Sequence, residues 1–224
     1  MIGIDSILLD AAGVTIDGDY DGVRCWHVDS IDRLNCIYLD GAPDLTAPLC
    51  EIDTLRSFYR RTLKDNVTAF ISVDATKIDG CEAIRTIVKG RIPNQPHGML
   101  YIAAITVPFR DFCFIFKTIC EEQGTTGLRE AVVLNELLGE GQIKSAPSGE
   151  LIGWSADPYD TALTGGILRN LSEDEKYDAK FAFHPLTRAR RIMKMLEDHI
   201  LISDEVRSAP HFDGPKKIKK KWLW

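Results

Sequence analysis

Residues 99–119 read MLYIAAITVPFRDFCFIFKTI, and this stretch decides the predicted fold. Met99 to Val107 and Phe112 to Ile119 are rich in β-branched and aromatic residues, a composition that predicts strands. Between them, Pro108-Phe109-Arg110-Asp111 predicts the turn of a hairpin. Because both runs are apolar along most of their length, we expect this hairpin to lie near the centre of a sheet.

Shorter runs upstream of the hairpin predict further strands. Residues 67–74 alternate between apolar and polar side chains, which indicates a half-buried strand. An N-terminal antiparallel meander is predicted from the runs Ile4 to Leu9, Val14 to Ile16, Val23 to Val28 and Cys36 to Leu39.

Helical spacing appears in four places along the chain. Three of these stretches predict helices over residues 53–64, 79–90 and 128–138. The second begins at Asp79, whose distance from Glu82 matches a capping box. The last helix follows Pro185 and carries one apolar stripe: Leu186, Ala189, Met193, Leu196 and Ile200.

Together these elements predict an α+β fold. It consists of an antiparallel β-sheet flanked by helices, with a loop-rich C-terminal appendage that ends in an amphipathic helix. We expect residues 1–139 to form the α+β core domain. Residues 140–209 are expected to form a loop and helical appendage packed on that core, and residues 210–224 a basic tail.

Charge is unevenly distributed along the 224 residues. The formal net charge is −6, but residues 210–224 contain five Lys and one Asp, a net +4, so residues 1–209 carry −10. An acidic body disfavours contact with nucleic acid and suits a basic protein partner.

The remaining composition points to a soluble, cytoplasmic protein. No stretch is long and apolar enough to span a membrane, and residues 1–10 lack the features of a signal peptide. The six cysteines contain no CxxC pair, which predicts reduced thiols and no zinc site. The sequence also lacks P-loop, HExxH and GxSxG motifs, so no cofactor is predicted.

One metal-like motif occurs near the N-terminus. Asp17, Asp19 and Asp21, followed by Gly22, match the first half of an EF-hand calcium loop. The second half is missing, because Val28 occupies the position of the bidentate glutamate. We interpret the segment as an acidic hairpin turn, with a calcium site as the alternative.

A candidate anion site precedes the helix predicted over residues 128–138. The amides and hydroxyls of Thr125, Thr126 and Gly127 stand at its start, with Arg129 close by. The Walker lysine and the GxGxxG spacing are both absent. An ordinary helix N-cap is the alternative interpretation.

The region from Trp154 to His184 has the richest mixture of chemical groups. His184 together with Asp157 or Asp160 would suit general acid–base catalysis if the fold brought them together. Capping and loop packing are the alternative roles of these residues.

The C-terminal tail combines positive charge with aromatic residues. Such a segment suits contact with anionic lipid or nucleic acid, and a solvated tail is the alternative. The residues that would make the contacts are Lys216, Lys217, Lys219, Lys220, Lys221, Trp222 and Trp224.

Three functions remain open from the sequence. The first is a non-enzymatic cytoplasmic protein-binding domain, such as a bacterial immunity-type or accessory protein for a basic partner. The second is a small hydrolase or transferase with its site around Trp154 to His184. The third is peripheral membrane or nucleic-acid binding through the basic tail. No residue pattern specifies an oligomeric state.

Overall fold

The computed structural model describes residues 2–63 and 67–215, and its main feature is one large sheet. In chain order the elements are β1 (Ile7–Leu9), β2 (Thr15–Tyr20), β3 (Val23–His27), β4 (Arg33–Leu39), α1 (Ile52–Thr62), β5 (Thr68–Ile78), β6 (Cys81–Arg91), β7 (Met99–Pro108), β8 (Cys113–Glu121), α2 (Leu128–Gly139), β9 (Lys144–Ser145), β10 (Leu151–Ile152), β11 (Ser155–Ala156), β12 (Arg169–Asn170), α3 (Pro185–His199), β13 (Ile200–Ile202) and α4 (Asp204–Arg207). Strands β2 to β8 form the large sheet, which is antiparallel and has the strand order β2-β3-β4-β8-β7-β6-β5. The predicted α+β class, an antiparallel sheet flanked by helices, is confirmed.

The predicted hairpin of residues 99–119 forms β7 and β8 and lies in the middle of the sheet. Alternate residues of β7 are fully buried, among them Tyr101 and Ile105, while the residues between them are half-buried. This pattern arises because α3 covers one face of the two strands and the other face is covered less completely. The predicted meander of β2, β3 and β4 is also confirmed.

The helix predicted over residues 79–90 is wrong, because this stretch forms β6. Asp79 and Gly80 have φ angles of 44° and 80°, and they form the two-residue turn of a hairpin between β5 and β6. The apolar residues of β6 have a helix-like spacing because they face both sides of the sheet. Because β6 is buried on both faces, Ala83 and Ile87 contribute to one hydrophobic cluster and Ile84 to another.

The helices lie against opposite faces of the sheet. On one face, Leu55 of α1 is buried with Phe70, Val73 and Ile84. On the other face, α3 runs across β7 and β8. The apolar stripe predicted for this helix is wholly buried in the same cluster as Tyr101, Ile105 and Phe116: Leu186, Ala189, Met193, Leu196 and Ile200.

The first strand departs from the predicted meander. β1 pairs with β13, so the beginning of the chain contacts the segment that follows α3. The stretch between α2 and α3 contains only two short ladders, β9 with β10 and β11 with β12, and two 3-10 helices, Leu171–Glu173 and Glu175–Phe181. None of the helices in the described ranges is long and apolar enough to cross a membrane.

Candidate functional site

Two carboxylates and one imidazole meet where β8, α2 and α3 approach one another. Glu122 follows β8, Glu130 lies in the first turn of α2, and His184 precedes α3. The Nε2 atom of His184 is 3.9 Å from Oε1 of Glu122 and 3.9 Å from Oε1 of Glu130. Within residues 2–63 and 67–215 this is the only group of three or more His, Cys, Asp or Glu side chains with metal-like spacing.

The start of α3 orients His184. Its Nδ1 accepts a hydrogen bond from the Leu186 N–H at 3.3 Å, so the imidazole is the N-cap of the helix, and Pro185 occupies the first turn. This bond assigns the ring proton to Nε2. The side chain is 7% exposed, yet Nε2 has no hydrogen-bond partner in the described part of the chain.

The imidazole is neutral over the physiological pH range. Burial, reinforced by the positive charges of Arg129 and Arg188, lowers the pKa of His184 to about 3. Its ring also contacts the Tyr101 ring edge-on, with 5.5 Å between the centroids. A neutral, buried imidazole can either donate from Nε2 or, after moving its proton to Nδ1, bind a cation there.

Glu122 is held by backbone groups on both sides. Its Oε2 accepts from the Met99 N–H at 2.8 Å, and its Oε1 accepts from the Gly127 N–H at 3.0 Å. The carboxylate therefore joins the start of β7 to the start of α2. It also occupies the Gly127 amide on which the predicted anion site depends, while Thr125 and Thr126 are exposed to solvent.

Glu130 is less constrained. Its Oε2 is buried and makes no hydrogen bond within the described residues. Burial raises the pKa of Glu130, and the negative charges of Glu122 and Glu173 raise it further, against an opposing backbone hydrogen bond. The carboxyl group is thus suited to exchanging a proton with a ligand.

A buried ion pair lies beneath the three groups. Lys89 contacts both oxygens of Glu173, at 2.8 and 2.9 Å, and the Tyr101 hydroxyl donates to Oε1 of Glu173 at 2.7 Å. Because Lys89 neutralises Glu173 and His184 is neutral, the cluster has a formal charge of −2 when both Glu122 and Glu130 are ionised.

Two surface clefts meet at Glu122. One has a volume of about 330 Å³ and is bordered by His184, Phe181 and Phe183. The other has a volume of about 310 Å³ and is bordered by Glu130 and Lys89. Volumes of this size are sufficient for a small molecule.

Arg129 supports the cleft wall. Its Nε donates to the Ser172 carbonyl at 2.6 Å, and its terminal nitrogens donate to Thr187 at 3.0 Å and to Asp178 at 2.9 Å. The guanidinium therefore joins α2 to the segment that precedes α3. Its contacts are with groups of the chain itself, so the structure does not direct Arg129 at the anion site predicted around Thr125, Thr126 and Gly127.

The predicted partners of His184 lie elsewhere. Asp157 binds Arg60 of α1 at 2.9 Å and accepts hydrogen bonds from the N–H groups of Tyr159 and Asp160. Tyr159 packs with the cluster under α1, on the sheet face opposite to α3. The structure therefore separates Asp157 and Asp160 from His184. Trp154 packs against α2 beside Val133 and Leu137.

The other predicted sites are also located. Asp17 binds His27 at 2.7 Å, and Asp19 binds Arg24 at 2.7 Å, so these carboxylates of β2 are engaged with different partners. Asp21 is exposed at the turn that Gly22 closes. The predicted tail contacts, Lys216, Lys217, Lys219, Lys220, Lys221, Trp222 and Trp224, lie outside the described residues.

Glu122 and Glu130 are the site residues that sequence reasoning missed. The available signal was weak: one glutamate follows a central strand, and the other stands in the first turn of a predicted helix. Chemically, the three groups can transfer a proton, donate a hydrogen bond from Nε2 or surround a cation. No known protein-family model matches this chain, and no curated protein matches it at a significant level.

Proposed function

We propose that this chain is a small hydrolase or transferase whose reaction takes place in the cleft beside His184. One observation carries the proposal: Nε2 of His184 and Oε2 of Glu130 are buried polar atoms that make no hydrogen bond within the described residues, and each residue borders one of the two adjoining clefts. Leaving such an atom unpaired costs about 1–3 kcal/mol. A bound substrate that paired with these atoms would offset that cost.

The electrostatics support this function. Hydrolysis and group transfer both require a group that moves a proton and a site that stabilises developing charge. Glu130, with its raised pKa, and His184, with its lowered pKa, differ in the way that active-site pairs do. The aromatic rings of Phe181 and Phe183 provide an apolar wall for the rest of a substrate.

A screen of purified protein against ester, amide, phosphoester and glycoside substrates tests the proposal. We expect turnover that falls at least about 100-fold in Glu130→Gln and in His184→Asn. Asparagine is chosen because it is itself a good N-cap, so α3 keeps its first hydrogen bond. Glu150→Gln and His199→Gln are matched controls, since both side chains are exposed and distant in sequence from the site.

Two results would count against the enzyme. The first is the absence of turnover by the wild-type chain with every substrate class. The second is turnover that is unchanged in both Glu130→Gln and His184→Asn. Retained turnover in the Glu150 and His199 variants is required for the losses to be attributed to the site.

A second candidate, binding of a basic protein, is supported by a different surface. On the sheet face that carries α1, Leu39 of β4 and Ile119 of β8 are 45% and 47% exposed. The negative charge of residues 1–209 would steer a basic partner toward the chain. In a pull-down at low salt, the wild-type chain should retain a partner protein that the Ile119→Lys variant does not retain. Failure of the wild-type chain to retain any protein above background would refute this candidate.

A further inference from the structure

We infer that Glu122, Glu130 and His184 bind a divalent transition-metal ion, of the Zn²⁺ or Mn²⁺ type, at the junction of the two clefts. The inference rests on the proposed function, because it places the ion in the same cleft as the reaction. The binding itself is measurable without any substrate.

An unpartnered buried group points to a ligand at this position. The His184 side chain is 93% buried, and its Nε2 faces both carboxylates without making a hydrogen bond to either. Oε2 of Glu130 is likewise buried and makes no hydrogen bond to any part of the chain that the structure describes. Two polar atoms in this state beside each other are explained by a third species that both of them contact.

The distances suit a metal ion after a small adjustment. Donor atoms at about 2.1 Å from a tetrahedral ion lie about 3.4 Å apart, so the two 3.9 Å separations must shorten by roughly 0.5 Å. Glu130 can supply this movement, because rotation of its carboxyl group can bring Oε2, which makes no hydrogen bond within the described residues, toward Nε2 in place of Oε1. Glu122 is already fixed in place by the Met99 and Gly127 amides, and such fixed ligands are typical of metal sites.

The charges at the junction favour a divalent cation. With both Glu122 and Glu130 ionised, the cluster of Glu122, Glu130, Glu173 and Lys89 has a formal charge of −2, which an ion of charge +2 neutralises. The guanidinium groups of Arg129, Arg188 and Arg190 act on His184 in the opposite sense, but each also contacts a carboxylate: Arg129 and Arg190 share Asp178, and Arg188 pairs with Asp32.

The donor types narrow the choice of ion. One imidazole nitrogen and two carboxylate oxygens suit Zn²⁺ or Mn²⁺, whereas Ca²⁺ takes oxygen donors alone. Three protein ligands with further positions open to a cleft are the arrangement of catalytic zinc sites. Binding requires the lone pair of Nε2, so the ring proton moves to Nδ1 and the hydrogen bond from the Leu186 N–H is given up.

The test uses the full chain with Cys50→Ser as the background, because Cys50 is an exposed thiol that could bind zinc by itself. After dialysis against EDTA, Zn²⁺ and Mn²⁺ are titrated by calorimetry, and Co²⁺ is titrated by absorption. We expect one ion per chain. Glu130→Gln and His184→Asn should weaken binding at least about 100-fold. Asp17→Asn, in the acidic hairpin, is the control and should bind as the background does.

The outcomes separate this inference from the proposed function. Absence of binding of all three ions, or equal binding by the two site variants, would overturn the metal site. Turnover that is insensitive to EDTA but lost in Glu130→Gln would also overturn it, while leaving the enzyme proposal standing. Binding without any turnover would support the metal site and count against the enzyme.

Discussion

Asp32 and Arg188 form a buried ion pair whose disruption should destabilise both the fold and the site. Nε and one terminal nitrogen of Arg188 bind the two oxygens of Asp32, at 2.8 and 3.2 Å, and the side chains are 3% and 1% exposed. Arg188 also donates to the carbonyls of Phe183 and Glu121. These two residues immediately precede His184 and Glu122, so one guanidinium positions both segments of the site.

The magnitude follows from what remains after Asp32→Asn. Removing one charge of a buried pair costs about 3–5 kcal/mol, because the other charge stays buried without compensation. Two carbonyls and one amide oxygen still accept from Arg188, so we expect the lower end, about 3 kcal/mol. For a chain of this length, that loss lowers the melting temperature by roughly 6–12 °C.

Urea denaturation followed by circular dichroism measures the loss. Asp198→Asn is the matched control, because Asp198 pairs with Lys194 on the exposed face of the same helix, where a salt bridge contributes less than about 1 kcal/mol. The combined change Asp32→Leu with Arg188→Met should recover much of the stability, since no charge is then left buried. A free energy of unfolding for Asp32→Asn within about 1 kcal/mol of the wild type would refute the reasoning.

Three further predictions concern other parts of the molecule. Thermal melts should show that Gly80→Ala destabilises the chain by about 1–2 kcal/mol, because the φ of 80° at this position strains any residue with a Cβ. Gly139→Ala, at the end of α2, is the control and should be neutral or stabilising. Iodoacetamide should label the exposed Cys50 in the native chain and spare Cys120, because burial raises the pKa of the Cys120 thiol to about 12. Mass spectrometry measures the labelling, and equal labelling of the two thiols would contradict this. Asp29 should contribute stability that is lost as the pH falls below 3.8, because burial raises the pKa of its carboxyl but two backbone N–H groups and the charges of Arg191 and Arg188 together lower it by more. Asp29→Ala should therefore flatten the acid limb of the curve of unfolding free energy against pH, and an unchanged limb would contradict this.

The parts of the fold that the sequence predicts correctly are those with one dominant signal. The long apolar runs of β7 and β8 are too rich in β-branched and aromatic residues to fit helices well, and the stripe of α3 has no competing period. The helix predicted over residues 79–90 is wrong because no single pattern dominates in this stretch, which forms β6. Burial on both faces removes the two-residue alternation, and the spacing that remains resembles a helix.

The site was harder to predict because its members meet only in the folded chain. The sequence indicates His184 and pairs it with Asp157 or Asp160, the carboxylates of the same loop-rich segment, but the sheet separates both of these from it. Glu122 reaches it because β8 ends beside the start of α3, and Glu130 reaches it because α2 begins at the same place. That proximity depends on strand order, which no local spacing encodes.

The pairing of β1 with β13 sets the order in which the chain can close during synthesis. Residues 7–9 are synthesised before their partners, residues 200–202, which at ordinary rates of translation follow roughly 10 to 40 s later. Until then the sheet face that α3 covers, with Tyr101, Ile105 and Phe116, has no cover from that helix. We therefore expect a nascent chain stopped before α3 to need protection by a chaperone, and the segment from α3 to β13 to close this face of the sheet in one late step.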